Sequence, residues 1–346
     1  MVIGVDLGAT KVAAAALRGR ELGPSVIKPT DRSGPAALVD QVVALVRDVQ
    51  RDSPVRGVGI GLASVVDFET GCVVSSVNLP LAHAPLRQLL RTRLGLPVFV
   101  DNDAAVAALA EAHDEQLRML APNLVMITVG TGVGGGLVLG GRIYRGATGG
   151  AGELGHTLVG APPAGAAASS GGFPRPGSLE RLAAGRALDR LAAEAAAGDP
   201  DSLLGRRRAQ GRPVSGADAV RAARAGDAAA ARVVDIWAER VGIGVANAIN
   251  TFDPDEVVIG GGGAQAGELL LAPVRRMALA HVLPGVGRRT TIRLARHGVR
   301  AGVLGAALLA LDELGGLDAK SERPIGRPGA AAAERATRRR ASGRAR

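Results

Sequence analysis

The chain has few of the residues that build disulfides and cysteine-rich metal sites. Its 346 residues include one cysteine, Cys72, and five histidines. A single cysteine excludes an internal disulfide and a zinc site made of several cysteines, and it fits a reducing compartment. Aromatic residues make up only 2% of the chain, whereas hydrophobic residues make up 47%. The core must therefore be built mainly from Ala, Val, Leu and Ile.

The sequence also lacks a hydrophobic run of the ~18 residues that a membrane span requires. It enters a strand-like run, VIGVDLGATK, at residue 2, without a basic leader region or a cleavage site. We expect a soluble, cytoplasmic protein that makes no membrane contact.

Acidic residues are too few to balance the basic ones, and the net charge is +10. Residues 320–346 hold nine basic and two acidic residues, so this segment alone contributes +7. It is rich in Ala, Arg, Pro and Gly without apolar periodicity, which predicts a disordered basic tail over residues 317–346. Such a tail can contact RNA or acidic partners weakly, but specific nucleic-acid binding is not expected. The alternative is a solvated, dispensable tail.

What the chain does contain is an alternation of strand and helix patterns, which predicts α/β architecture over two domains. Strand–polar turn–strand units near residues 2–16 and 124–143 form a weak internal repeat, which suggests two related domains. Helical patterns cover residues 178–197, 214–250 and 300–314. Trp237 falls on the apolar face of the second, so we expect it in the core.

Three glycine-rich turns follow strands. The first glycine turn (residues 8–10) comes after Asp6 and precedes Lys11. Its backbone N–H groups can hold phosphate, and Asp6 can hold a hydrated Mg²⁺. An ordinary hairpin turn is the alternative, and the Walker pattern is absent.

The second glycine turn (residues 130–132) includes Thr131 and Gly132, and the third (residues 261–263) includes Gly261 and Gly262. Glycine at such positions lets a flat ligand approach the backbone closely. Tight strand packing is the alternative for each turn alone. All three together favour nucleotide binding.

The segment VDNDAAVAAL places Asp101, Asn102 and Asp103 between a strand predicted to end at Val100 and a helix. In open α/β sheets, ligands bind at the carboxyl ends of strands. Asp103 fits a general base equally well as the helix N-cap. The amide of Asn102 can both donate to and accept from sugar hydroxyls.

The segment GAGELGH places Glu153 and His156 three residues apart, which suits neutral polyols. It is a poor zinc site, because structural zinc takes four ligands. A surface Glu and a half-buried His are the alternative.

Together these segments resemble the ROK family (repressors, open reading frames, kinases) of sugar kinases. The resemblance runs in order from residue 2 to about residue 312. It rests on DLGATK, NLPL, DNDAAVAALAE, the run from ITVGTGVGGG to GAGELGH, SLERLAAGRAL and DPDEVVIGGGG. It implies a two-lobed actin-like (ribonuclease-H-like) ATPase fold with the active site in the interdomain cleft. The implied small lobe is 1–102 completed by a C-terminal helix at 298–316, and the implied large lobe is 103–297.

The resemblance implies phosphorylation of a hexose by ATP with Mg²⁺, most readily glucose at its 6-hydroxyl. Asp103 would be the general base, and Asp6 would hold Mg²⁺ through water. The expected partners are the sugar and a second copy of the chain in a homodimer. The implied phosphate and adenosine contacts are Asp6, Gly8, Thr10, Lys11, Thr131, Gly132, Gly261 and Gly262. The implied sugar contacts are Gly61, Asn102, Glu153, His156 and Glu180, with Gly61 in the loop that closes the other side of the sugar.

The sequence departs from the family pattern in three places. Gly171, Phe173 and Ser178 stand where the family carries zinc-binding cysteines, so no zinc and a mobile loop over residues 162–177 are expected. GLASVVD replaces the usual sequence motif of the sugar-side loop. NLPLAHAPL lacks a Trp that often follows N-L-P. The last two departures leave the identity of the sugar substrate undetermined.

Several alternatives therefore stay open: N-acetylmannosamine, fructose or allose as substrate, polyphosphate as donor, and a non-catalytic sugar-binding or regulatory protein. A sugar-responsive repressor is not expected, since Asp6 leaves no room for the helix-turn-helix that precedes the first phosphate motif in such members.

Overall fold

The computed structural model describes residues 1–76, 78–160 and 172–315. The strands are β1 (Val2–Leu7), β2 (Lys11–Arg18), β3 (Glu21–Leu22), β4 (Val26–Pro29), β5 (Val58–Leu62), β6 (Val65–Asp67), β7 (Cys72–Ser75), β8 (Val98–Asn102), β9 (Leu124–Val129), β10 (Val133–Leu139), β11 (Arg142–Ile143), β12 (Glu256–Gly260) and β13 (Thr291–Leu294). The α-helices are α1 (Pro35–Gln50), α2 (Leu86–Leu94), α3 (Asp103–Glu111), α4 (Leu179–Ala183), α5 (Gly185–Gly198), α6 (Leu203–Ala209), α7 (Gly216–Arg224), α8 (Ala228–Phe252), α9 (Glu268–His281) and α10 (Ala301–Glu313). No helix within these ranges is long and apolar enough to cross a membrane.

The first sheet is built on a hairpin followed by parallel strands. Its strands run in the order β3-β2-β1-β5-β8, with β4 also paired to β2. β1 and β2 are antiparallel, whereas β1, β5 and β8 are parallel. Valine, isoleucine and leucine are buried along these strands, as β-branched residues favour a pleated core surface. The parallel register places the carboxyl ends of three strands at one edge.

The second sheet repeats this topology. Its order is β11-β10-β9-β12-β13, with an antiparallel β9–β10 hairpin and parallel β9, β12 and β13. The two predicted strand–turn–strand units are thus confirmed as the hairpins that begin each sheet. The mixed α/β prediction is also confirmed, while the domain boundaries stay a prediction.

Two helices, α3 and α10, connect the sheets through a shared apolar core. α10 packs against β1, β5 and α3, and α3 packs against β9 and β10. Their alanines and leucines join one buried cluster with Val2 of the first sheet and Met126 of the second. Helix α3 begins at the carboxyl end of β8, so this packing also positions the residues that start it.

Helices α1 and α2 pack against the first sheet and α8 and α9 against the second, whereas α5, α6 and α7 pack against one another and α5 and α7 also against α8. The predicted helix at residues 178–197 is divided at Ala184 into α4 and α5, and that at 214–250 is divided before Asp227, which caps α8. Trp237 is confirmed in the core, where its indole N–H donates to the Ala183 carbonyl at 2.7 Å. The predictions for the basic tail and for most of the loop at 162–177 lie outside the described residues.

Candidate active site

The first glycine turn brings Asp6 and Lys11 near Asp103. The N–H of Gly8 donates to the Lys11 carbonyl at 3.0 Å, which closes the turn between β1 and β2 and leaves Thr10 and Lys11 exposed. Burial and, to a smaller extent, the negative charge of Asp103 raise the pKa of Asp6, Lys11 opposes both, and the result is a pKa of about 6. An anionic cluster with one nearby cation therefore stands at the end of β1.

Asp103 is the first residue of α3, not its cap. The N-cap is Asn102, whose side-chain oxygen accepts the N–H groups of Ala104 at 2.9 Å and Ala105 at 3.0 Å. The strand predicted to end at Val100 continues to Asn102, which moves the helix start by one residue. Asp103 remains partly accessible, and burial raises the pKa of its carboxyl against hydrogen bonds that lower it.

Asn102 also contacts the segment that follows β5. Its side-chain NH₂ donates to the Ser64 carbonyl at 3.3 Å, and the Ser64 hydroxyl donates to the Ser76 hydroxyl at 2.8 Å. The amide predicted to contact sugar therefore has partners at both ends within the protein.

The prediction that Gly61 belongs to the sugar-side loop is wrong. Gly61 is buried inside β5, opposite Asp6 on one side and Asp101 on the other. A Cβ at this position would lie 2.5 Å from a Val106 methyl, so glycine is needed here for close packing of α3. The loop itself begins at Ala63.

The second and third glycine turns meet at one cavity of about 550 Å³. Thr131 and Gly262 both line it, together with Gly185 at the start of α5 and one edge of Trp237. The N–H of Gly185 donates to the Gly130 carbonyl at 2.7 Å, which ties α5 to the second turn. Two of the three predicted nucleotide turns thus share a concave site.

Glu180 is attached to the second glycine turn. Its Oε2 accepts the N–H of Val133 at 2.8 Å, and the side chain lies directly against Gly132. Helix α4 presents it there, with Ser178 as N-cap through a 3.3 Å bond from the Arg181 N–H. The predicted sugar contact is therefore also a structural partner of the phosphate turn.

Glu153 and His156 lie on a short 3-10 turn with exposed side chains. The His156 Nε2 lies 3.7 Å from the Glu153 carboxylate, and the His156 ring meets the Phe173 ring edge-on with centroids 5.1 Å apart. Within residues 1–76, 78–160 and 172–315, no three His, Cys, Asp or Glu residues are grouped as a metal site.

Asp101 and Arg145 form an ion pair at 2.7 Å beside the site that the sequence does not predict. The only sequence signal was the position of Asp101 next to Asn102.

Comparison with known proteins identifies the family. A sequence model of the ROK family matches residues 2–313. The chain belongs to the ROK family. A single cysteine is consistent with a ROK member that lacks the zinc-binding cysteines.

Related ROK proteins include sugar kinases of two specificities. The glucokinase of Halalkalibacterium halodurans is 36% identical over 320 residues, covering 89% of this chain and 94% of that protein. The N-acetyl-D-glucosamine kinase of Aliivibrio fischeri is 33% identical over 320 residues, covering 89% and 99%. The crystal structure of a ROK family glucokinase from Streptomyces griseus, in complex with glucose and AMPPNP, matches with a TM-score of 0.72 at 33% identity, covering 90% of this chain and 99% of that one. These matches confirm the predicted family and its actin-like sugar-kinase fold.

Proposed function

We propose that this ROK protein is an ATP-dependent hexose kinase that phosphorylates glucose at the 6-hydroxyl. The observation that supports it most is the position of Asp103. Its partly accessible carboxyl stands at the carboxyl end of β8, has a raised pKa, and lies within electrostatic range of Asp6 beside the first glycine turn. The Streptomyces griseus relative binds glucose and AMPPNP, which fits this reading.

Asp103 would accept the proton of the attacking sugar hydroxyl. A carboxylate with a raised pKa is a stronger base, and general bases work best when their pKa is close to the operating pH. Glu153 and His156 would bind other sugar hydroxyls through an exposed carboxylate and imidazole. Phosphoryl transfer otherwise requires mainly positioning and electrostatic stabilisation, so a site with a single nearby lysine is sufficient.

The phosphate donor would occupy the cavity between the second and third glycine turns. A volume of about 550 Å³ suits a nucleoside. Backbone N–H groups of these turns, with Thr131 and Lys11, would hold the phosphates. This location favours ATP over polyphosphate, because polyphosphate has no base to fill the cavity.

The residues around Asp6 fit a hydrated Mg²⁺. This ion usually keeps several waters and binds one or two carboxylates together with substrate phosphates. Asp6 and Asp103 are neighbouring acids whose mutual repulsion a divalent cation would relieve. When bound, Mg²⁺ would offset negative charge on the phosphates. A cytoplasmic location stays a prediction from the sequence, and a homodimer stays a prediction from the family.

The substitution Asp103→Asn tests the assignment, because it removes the base and keeps the side-chain volume. We expect kcat for glucose to fall by ~10²–10⁴, with an unchanged circular dichroism spectrum. Asp227→Asn is the control. Its amide oxygen can still accept the Ala230 N–H, while the Leu203 N–H loses the second carboxylate oxygen, so we expect a small loss of stability with kcat unchanged. Full turnover by Asp103→Asn would remove Asp103 from the role.

A second candidate differs only in the sugar. Similarity to an N-acetyl-D-glucosamine kinase favours testing amino sugars beside glucose. A panel of glucose, N-acetylglucosamine, N-acetylmannosamine, fructose and allose with ATP, GTP and polyphosphate ranks them by kcat/KM. Binding of glucose without phosphorylation of any sugar would instead support the non-catalytic alternative.

A further inference from the structure

An ion pair between half-buried Arg145 and buried Asp101 joins the strand before Asp103 to the segment that leads to Glu153 and His156. The Arg145 Nε donates to the Asp101 carboxylate at 2.7 Å. Asp101 is 3% exposed and lies in β8. Arg145 follows β11 and directly precedes residues 146–156, which we call the sugar loop.

Asp101 is coupled to Asp103 through a short chain of contacts. The carboxylate oxygen of Asp101 that does not meet Arg145 accepts the N–H of Asn102 at 2.9 Å. The Asn102 side chain then caps α3, whose first residue is Asp103. A displacement of the Asp101 carboxylate therefore reaches Asp103 through one backbone amide and one helix cap.

Arg145 is coupled equally directly to the sugar loop and to the β6–β7 hairpin. Its carbonyl accepts the N–H of Ala151 at 3.1 Å, which closes the loop on itself. Its guanidinium carbon lies 3.4 Å from the ring centroid of Phe68, just after β6. The loop passes so close to β6 that a Cβ on Gly149 would lie 2.0 Å from the Val66 carbonyl oxygen.

The charged groups around Arg145 influence one another. Burial raises the pKa of Asp101, and the charge and hydrogen bond of Arg145 oppose that rise. Arg145 also lies 3.5 Å from Glu313 at the end of α10. Because the Asp101 carboxylate is buried, removal of Arg145 would leave its charge without its main compensating partner, which is unfavourable.

We propose that Arg145 is a positioning residue that sets the distance between Asp103 and the sugar loop, acting through Asp101 and Phe68. This inference rests on the proposed kinase function. We expect the Asp101–Arg145 pair to affect the reaction of the sugar but not the binding of the nucleotide. Neither residue lines the cavity between the second and third glycine turns.

Steady-state kinetics of Arg145→Gln, Arg145→Lys and Asp101→Asn with glucose and ATP test the inference. Misplacement of a reacting group by about 1 Å can reduce the rate ~10²-fold, so we expect kcat/KM for glucose to fall about 10- to 100-fold in Arg145→Gln. The KM for ATP should stay unchanged. Arg145→Lys should recover part of the loss, since lysine keeps the charge but not the planar contact with Phe68.

The double variant Asp101→Asn with Arg145→Gln distinguishes coupling from two independent losses. If the residues act as one unit, the double variant should be no slower than Arg145→Gln alone. Arg293→Gln is the matched control. It breaks another ion pair with a buried carboxylate, at 2.7 Å with Glu111 at the far end of α3, and should lower stability without changing kcat/KM for glucose.

The outcomes separate this inference from the function on which it rests. A wild-type protein that phosphorylates no sugar would overturn both. A wild-type enzyme that is active, with Arg145→Gln altered in melting temperature but not in kcat/KM for glucose, would overturn the inference alone. Equal changes in the KM for ATP and for glucose would also overturn it.

Discussion

At the scale of single residues, the site holds charge that the fold does not neutralise. Asp6 lies beside a second carboxyl, Asp103, and burial raises the pKa of Asp6 to about 6. An ionised Asp6 in the folded protein is therefore less favourable than in the unfolded chain, where its pKa is 3.8. Perturbed carboxyls of this kind cluster at functional sites.

This shift predicts the pH dependence of stability. Between pH 4 and 6 the folded state binds more protons at Asp6 than the unfolded state, so the free energy of unfolding should fall as pH rises. The loss should be complete above pH 6 to 7 and amount to at most about 3 kcal/mol. Asp6→Asn should reduce this slope, leaving the part that the raised pKa values of Asp101 and Asp103 contribute. It should also be the more stable protein at pH 8, while losing kinase activity. Urea unfolding of both proteins from pH 4 to 8 in the presence of EDTA measures the free energy of unfolding at each pH.

Asp48→Asn is the control, because Asp48 forms an exposed pair with Lys28 away from the site. It should keep the wild-type slope. If Asp6→Asn showed the same pH dependence as wild type, Asp6 would not be the titrating group.

At the scale of elements, the start of α3 combines a structural cap with the proposed base. Asn102 satisfies two N–H groups of the helix, and the neighbouring Asp103 takes its position from that first turn. Packing of α3 against β5 at Gly61 holds the same turn from the other side. Helix stability and the proposed role of Asp103 are thus connected at this helix end.

Asn102→Ala should therefore affect two measurements. Loss of an N-cap costs ~1 kcal/mol in the free energy of unfolding, and kcat should fall because Asp103 loses its anchored backbone. Ser202→Ala removes the corresponding cap of α6, whose hydroxyl accepts the Gly205 N–H at 3.0 Å. It should lose comparable stability with kcat unchanged. Equal kcat values in both variants would contradict the connection.

The sequence was informative where local chemistry decides the structure. Gly-rich turns after apolar strands predicted both hairpins, and Asn–Asp after a strand predicted a helix start. The alternative that Asp103 is the helix cap is wrong, because Asn and Asp both cap well and the two positions differ by one. Gly61 was misplaced because the strand extends past it. The Asp101–Arg145 pair could not be predicted, since 44 residues separate two charges that meet only after both sheets form.

At the scale of the whole molecule, folding should not depend on zinc. The described residues provide no group of three metal-ligating side chains, and the chain has a single cysteine. EDTA should leave the melting temperature unchanged, whereas it should stop phosphoryl transfer until Mg²⁺ is added back. Thermal unfolding, activity and metal analysis on the same sample test this. A lower melting temperature after chelation, or one tightly bound zinc per chain, would contradict it.

The position of α10 also affects how the protein folds during its synthesis. This helix packs against β1 and β5, although it lies near the opposite end of the described chain. At a synthesis rate of about 5–20 residues per second, the roughly 200 residues between Asn102 and Ala301 take about 10–40 s to emerge. During that interval the apolar surface of the first sheet that α10 later covers stays open on the ribosome-bound chain. Apolar surface exposed in this way makes a nascent chain prone to aggregation until the covering helix is made.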